Sequence, residues 1–186
     1  MGHRGWQNTE LWKCLVDRGQ ACEGLRHYLT SVLDDVETIL AKGGTAPLSF
    51  TLHDDEHSYR VAERMFELLP EQATAKLSDL ELGLLLSSAY LHDIGMNPRR
   101  EIVVQIRDYL ISGEPKELDP DEAKKLQRWL DEAHPGAQPP VLVGRPLTER
   151  LHHAEFLTAF FCRHRHNDWS EHFIIEKTKD MRRPPT

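Results

Sequence analysis

The sequence predicts an all-α fold, and three observations carry that prediction. Apolar residues recur at three- and four-residue spacing along nearly the whole chain. No segment sustains the period-two alternation, enriched in Val, Ile and Thr, that a strand requires. Helix start and stop signals punctuate the periodic stretches. The expected architecture is a bundle of about six to seven helices.

Taken in order, Leu11, Leu15, Leu25, Leu29, Leu33, Val36 and Leu40 define one long or broken N-terminal helix, stopped by Gly43, Gly44 and then Pro47. A second helix is expected to begin near Ser49 to Thr51 and to carry Val61, Met65, Leu68 and Leu69 until Pro70 ends it. Ser78 with Glu81 has the spacing of a capping box, so the apolar run Leu80 to Leu91 should be a buried helix ending at His92-Asp93-Ile94-Gly95. Residues 101–111 and 120–133 read as two more amphipathic helices; the second has Asp119 as N-cap, Pro120 in its first turn and Glu122 completing a box. Four prolines and two glycines make residues 134–146 a loop, after which a long helix resumes near Leu147. Residues 177–186 form a polar tail behind a single expected domain, 1–176, divided into an N-terminal helical segment, 1–48, and a core, 49–176.

A chain of 186 residues can bury one real hydrophobic core and leaves little room for a second. Its 39% hydrophobic and 28% charged content, with mean hydropathy −0.54, fits a soluble globular protein. No apolar run approaches the roughly 20 residues that span a bilayer, and the polar start lacks the apolar stretch of a secretory leader. The expected location is the cytoplasm, with no membrane partner. Cys14, Cys22 and Cys162 include no C-x-x-C pair and read as reduced thiols. With 23 Lys and Arg against 30 Asp and Glu, the net charge of −7 argues against duplex nucleic acid as a partner.

The compositional anomaly is 11 histidines, the side chain most used for metal ligation and for proton transfer near neutral pH. Two places concentrate chemistry. In Leu52 to Val61, His53 and His57 are four apart, and on one helix both could point into one cavity. An equally good reading makes them core histidines satisfied by a carbonyl or a carboxylate. In Ala89 to Met96, an apolar helix delivers adjacent His92 and Asp93 at its end, where burying the pair without a partner is costly and a divalent cation would compensate.

The sequence His57-Ser58-x-Arg60-Val61, followed about 30 residues later by Leu91-His92-Asp93-Ile94-Gly95, resembles the HD phosphohydrolase superfamily. The resemblance is closest to the bacterial HD-CE branch, often fused to a GHKL-type ATPase, which pairs a Thr-x-His start and an HDIGM pentamer with a later Arg-x-x-His-x-x-x-Ser. Here these are Thr51-x-His53, His92 to Met96, and Arg163 through His166 to Ser170. The resemblance implies that His57, His92 and Asp93 ligate a divalent metal, Mn, Fe, Ni, Mg or Zn, and that a small phosphoester of nucleotide-like kind is the substrate. It also implies a GHKL-type ATPase as partner or fusion. Asp93 would bridge to a second metal where one binds. Neutral imidazoles with a carboxylate suit Mn, Fe, Ni or Zn, and an acidified water would attack phosphorus in line.

Catalytic roles then fall to Asp93 and to His53, the latter as an outer donor, a phosphate contact or an extra ligand. Arg163 and His166 are candidates for phosphate clamping or a second metal, a guanidinium pairing with phosphate in a bidentate fork; solvated residues on a basic helix face are as good a reading. The adjacent pair His152-His153 is a weaker candidate, such a pair serving as ligands in the HD-GYP branch. HD domains usually add a distant Asp from a late apolar helix. The late aspartates here, Asp168 and Asp180, lie in polar surroundings, so either the chain stops before that helix or the site is incomplete.

Three other readings compete with hydrolysis of a phosphoester. His53-x-x-Glu56-His57 spells the H-x-x-E-H signature of a zinc protease, which predicts that Glu56 faces the metal. A di-iron oxygenase of the HD fold would use the same ligands and more histidines. A non-catalytic HD module would sense a ligand or dock a partner without turnover, as the missing Asp favours.

Overall fold

The computed structural model describes residues 5–41 and 54–181. Among the described residues there is no strand, and eight α-helices run in the order α1 (Glu10–Asp17), α2 (Glu23–Ala41), α3 (Asp55–Glu67), α4 (Glu71–Thr74), α5 (Asp79–Leu91), α6 (Arg100–Ser112), α7 (Pro120–Ala133) and α8 (Leu147–Met181); α4 is a single turn. The all-α expectation holds, with seven helices longer than one turn. No helix among the described residues is long and apolar enough to cross a membrane.

The described chain forms two compact units. The first comprises residues 5–41, 54–97 and 167–181; the second comprises 98–166.

In the first unit α5 packs against α1, α2 and α3. The N-terminal helix is of the broken kind. Thr9 caps α1, accepting from Trp12 N–H at 3.3 Å, and Gly19, with φ of +70°, starts the turn that separates α1 from α2. Leu11, Leu15, Leu29, Leu33, Val36, Leu82 and Leu86 are fully buried in the core between these helices. Each such side chain contributes about 1.5–3 kcal/mol over its exposed state. The capping box starts α5 as expected: Ser78 Oγ accepts from Glu81 N–H at 3.3 Å, and Glu81 Oε2 accepts from Ser78 N–H at 2.7 Å. Burial of α5 is one-sided, however. Leu82, Leu86, Ala89 and Tyr90 face the core while Leu80 and Leu84, a turn apart on another face, are exposed.

One sequence expectation about helix starts needs correction, that of a capping box at α7. α3 begins at Asp55, where the Asp54 side chain accepts from His57 N–H at 2.8 Å, and the expected start near Ser49 to Thr51 lies outside the described residues. Asp54 has the extended backbone of an N-cap. His53 itself lies outside the described residues. For α7, Asp119 does cap the Asp121 and Glu122 N–H groups, but Glu122 does not turn back to complete a box.

Glu122 instead belongs to the interior of the second unit, where its carboxylate meets the buried Arg165 guanidinium at 3.0 Å. Around that pair α6, α7 and the first part of α8 bury Ile106, Leu110, Leu126, Leu130, Leu157 and Phe161. The 134–146 loop is tied down by Val141, whose N–H donates to the Leu110 carbonyl at 2.8 Å, and by Arg150, which donates to the Val141 carbonyl at 3.2 Å. The long last helix starts at Leu147 as expected and continues through the stretch read as a polar tail as far as Met181.

Candidate metal centre

His57 is the third residue of α3, and the Asp54 cap fixes its backbone there. The apolar α5 ends at His92, whose N–H still donates to the Ser88 carbonyl. At Asp93 the chain leaves the helix through φ −113° and ψ 13°, the sparsely populated bridge region where active-site residues concentrate. Met96 N–H then donates to the Asp93 carbonyl at 2.8 Å, opening a tight turn whose Ile94, Gly95 and Met96 are buried. Packing of α3 on α5 within the first unit brings His57 to this turn.

The three side chains share one oxygen. Asp93 Oδ2 lies 2.8 Å from His92 Nε2 and 3.6 Å from His57 Nε2. The imidazole rings are 5.6 Å apart and tilted by 36°. One ligand atom from each residue falls within 4.8 Å of the other two. Atoms bound tetrahedrally to one ion at about 2.1 Å lie about 3.4 Å apart, so the widest separation in the set has to contract by about 1.4 Å to share such an ion. Two imidazole nitrogens and a carboxylate oxygen form a donor set that suits Mn, Fe, Ni or Zn. The residues present fit a divalent metal.

Protonation is organised in the same way. The other ring nitrogen of His92, Nδ1, lies 3.1 Å from the Ala89 carbonyl oxygen, where an Nδ1–H donates and leaves Nε2 for the site. The hydrogen bond to Asp93 raises the His92 pKa, which burial opposes without cancelling. When protonated, His92 donates from both nitrogens, and a cation at Nε2 would take the place of one proton.

Among the described residues the cluster comprises these three side chains. Glu56, half exposed, pairs with Arg60 at 3.8 Å on the surface of α3, against the protease reading that has it face a metal. Asp168 is exposed on α8 and lies outside the cluster. Arg163 and His166 are on the part of α8 that belongs to the second unit, the His166 Nδ1 lying against the Arg163 carbonyl. His152 is exposed in that same unit, and His153 stacks on Phe156.

Sequence reasoning gave no role to Ser170. Its Oγ accepts from Gly95 N–H at 2.9 Å and donates to the His92 carbonyl at 3.3 Å, so a residue of α8 touches both ends of the His92–Gly95 turn. No spacing within the chain signals that contact; Ser170 enters the sequence only as the end of the motif that starts at Arg163.

No curated protein and no solved structure matches the chain. The sequence profile of the HD-CE family matches residues 48–184, which contain all three clustered side chains and most of the chain. By that match the chain belongs to the HD-CE family.

Proposed function

We propose that the protein is a metal-dependent phosphohydrolase acting on a phosphomonoester or phosphodiester of a nucleotide-like small molecule. The observation that carries this reading is the convergence of His57, His92 and Asp93 on one point in a chain of the HD-CE family. A divalent ion held there would supply an acidified water as nucleophile and charge to stabilise the phosphorane-like transition state. His57 and His92 would present neutral Nε2 atoms, with His92 oriented by the Ala89 carbonyl. Asp93 would provide the carboxylate and, where a second ion binds, the bridge. Arg163 and His166 remain candidates for holding substrate phosphate, and His53 for an added contact.

The three free cysteines, none in a C-x-x-C pair, are compatible with a reducing cytoplasm. A net charge of −7 supports a small-molecule substrate over duplex nucleic acid. A GHKL-type ATPase, as neighbour or fusion, is the partner the family resemblance suggests. A second reading, a module that binds a ligand without turnover, is favoured by the three-member donor set found among the described residues. Metal analysis of the purified chain together with a phosphatase and phosphodiesterase panel in Mn²⁺ or Ni²⁺ decides between them. Metal-stimulated turnover supports the hydrolase; nucleotide binding with bound metal and no turnover on any substrate supports the module.

A further inference from the structure

We propose that Ser170 is a positioning residue for the metal centre, a clamp from α8 that holds the His92–Gly95 turn and thereby aims the Asp93 carboxylate. The proposal rests on the metal-centre reading above. A serine hydroxyl has one proton to donate and lone pairs to accept with. Here the proton goes to the His92 carbonyl at 3.3 Å, and a lone pair takes the Gly95 N–H at 2.9 Å. Asp93 sits between those two peptide groups. Its backbone torsions are therefore bracketed by one side chain from a distant helix.

Such bracketing is needed at this position. The bridge-region torsions of Asp93 are sparsely populated and persist only where the surroundings over-determine them. The His92 carbonyl belongs to the last turn of α5, where carbonyls lack helical partners, so without Ser170 it would have to find another donor. Ser170 is only 6% exposed, which shields both bonds from exchange with water. The helix that carries it is anchored independently in the first unit: Phe173 packs against the core, and Lys177 pairs with Asp35. Deleting one hydroxyl thus removes the clamp while the helix stays docked.

The test compares the full chain with its Ser170→Ala and Ser170→Thr variants by calorimetric titration with Mn²⁺ alone, well below the melting temperature, with thermal melts in EDTA run alongside. The expected result is Mn²⁺ affinity roughly 10- to 100-fold weaker in Ser170→Ala, the range that loss of an outer-shell partner produces, and largely restored in Ser170→Thr. A Ser170→Ala chain that melts earlier in EDTA yet binds Mn²⁺ as tightly as the parent would overturn the positioning role and leave the metal centre standing. Weak binding by both variants would overturn the hydroxyl as the agent. A parent chain that binds no Mn²⁺ would overturn the metal-centre reading itself, and this proposal with it.

Discussion

His57 Nε2 and Asp93 Oδ2 lie 3.6 Å apart, although one residue stands in the first turn of α3 and the other just beyond the end of α5. The same carboxylate oxygen is 2.8 Å from His92 Nε2. Asp93 is thus the hub of the cluster, with a side chain only 16% exposed. Placing a carboxylate there costs desolvation that the two imidazoles, and any ion they share, offset.

The protonation of His92 should be visible in pH-dependent stability. Hydrogen bonding to Asp93 holds its folded pKa above the ordinary 6.5. A raised pKa means that the imidazolium–carboxylate contribution is fully present below 6.5 and is lost as pH rises through the folded value. In EDTA, the difference in melting temperature between the parent and His92→Gln should be largest on the acid side and shrink as pH rises above 6.5. Mn²⁺ affinity of the parent should change in the opposite sense, rising with pH because the ion displaces a proton from His92. Melts of both proteins across that interval, with Mn²⁺ titrations at each pH, check both signs; a stability gap that widens with pH in EDTA would refute the first.

How much of this could be read from the sequence depends on how local the determining interaction is. The capping box at Ser78, the N-cap at Asp119 and the loop from His134 to Pro146 are set by residues within a few positions of one another, and their signals are legible. The Asp54 carboxylate, three residues from the N–H it accepts, caps α3, while the expected start near 49–51 lies outside the described residues. Glu122 has the spacing of a capping-box partner, but Arg165, far along the chain, outcompetes the local backbone for it. Leu80 and Leu84 extend an apolar run beyond the face that the core covers, which periodicity within so apolar a helix cannot resolve. For the candidate site, His92 and Asp93 stand out as polar residues at the end of an apolar helix. Joining His57 to them needed the family pattern, and Ser170 needed the tertiary contact.

In the second unit, the Glu122–Arg165 pair should carry measurable stability. Burial pushes the Glu122 carboxyl up, but hydrogen bonds from Arg165 and Lys125 more than offset this and hold it below the usual range. Removing the carboxylate takes from the buried Arg165 guanidinium its Glu122 partner, so Glu122→Gln should cost about 3 kcal/mol, the lower end for breaking a buried pair, since Glu122 keeps some solvent contact. Urea midpoints measure this, and adding Arg165→Met to Glu122→Gln should recover most of the loss. The gap between parent and variant should hold steady above pH 4.5 and close as pH falls through the folded pKa. A Glu122→Gln protein as stable as the parent would show that the pair is dispensable.

Thiol reactivity offers an independent check on packing. Burial pushes the Cys162 thiol up to about 12, and Cys162 is only 8% exposed; Cys14 is half-buried, and its thiol too is raised by burial. Since the thiolate is the nucleophile, iodoacetamide at neutral pH should modify Cys14 slowly and leave Cys162 unmodified until denaturant is added. Peptide mass spectrometry after timed alkylation reads the order. Modification of Cys162 in the native protein ahead of Cys14 would contradict the packing of α8 in the second unit.

The most direct test of the central claim is metal content and phosphoester turnover measured side by side on the parent, Asp93→Ala and Glu56→Ala. Asp93 is the hub of the cluster, whereas Glu56 is half exposed and paired with Arg60. The parent should bind Mn²⁺ or Ni²⁺ and hydrolyse phosphoesters weakly, as a three-member donor set with open positions allows. Asp93→Ala should lose affinity by more than the roughly 100-fold that outer-shell changes cost, together with all turnover, while Glu56→Ala should keep both. An Asp93→Ala protein that retains its metal and its rate, beside an inactive Glu56→Ala protein, would contradict the account and return the site to the protease reading.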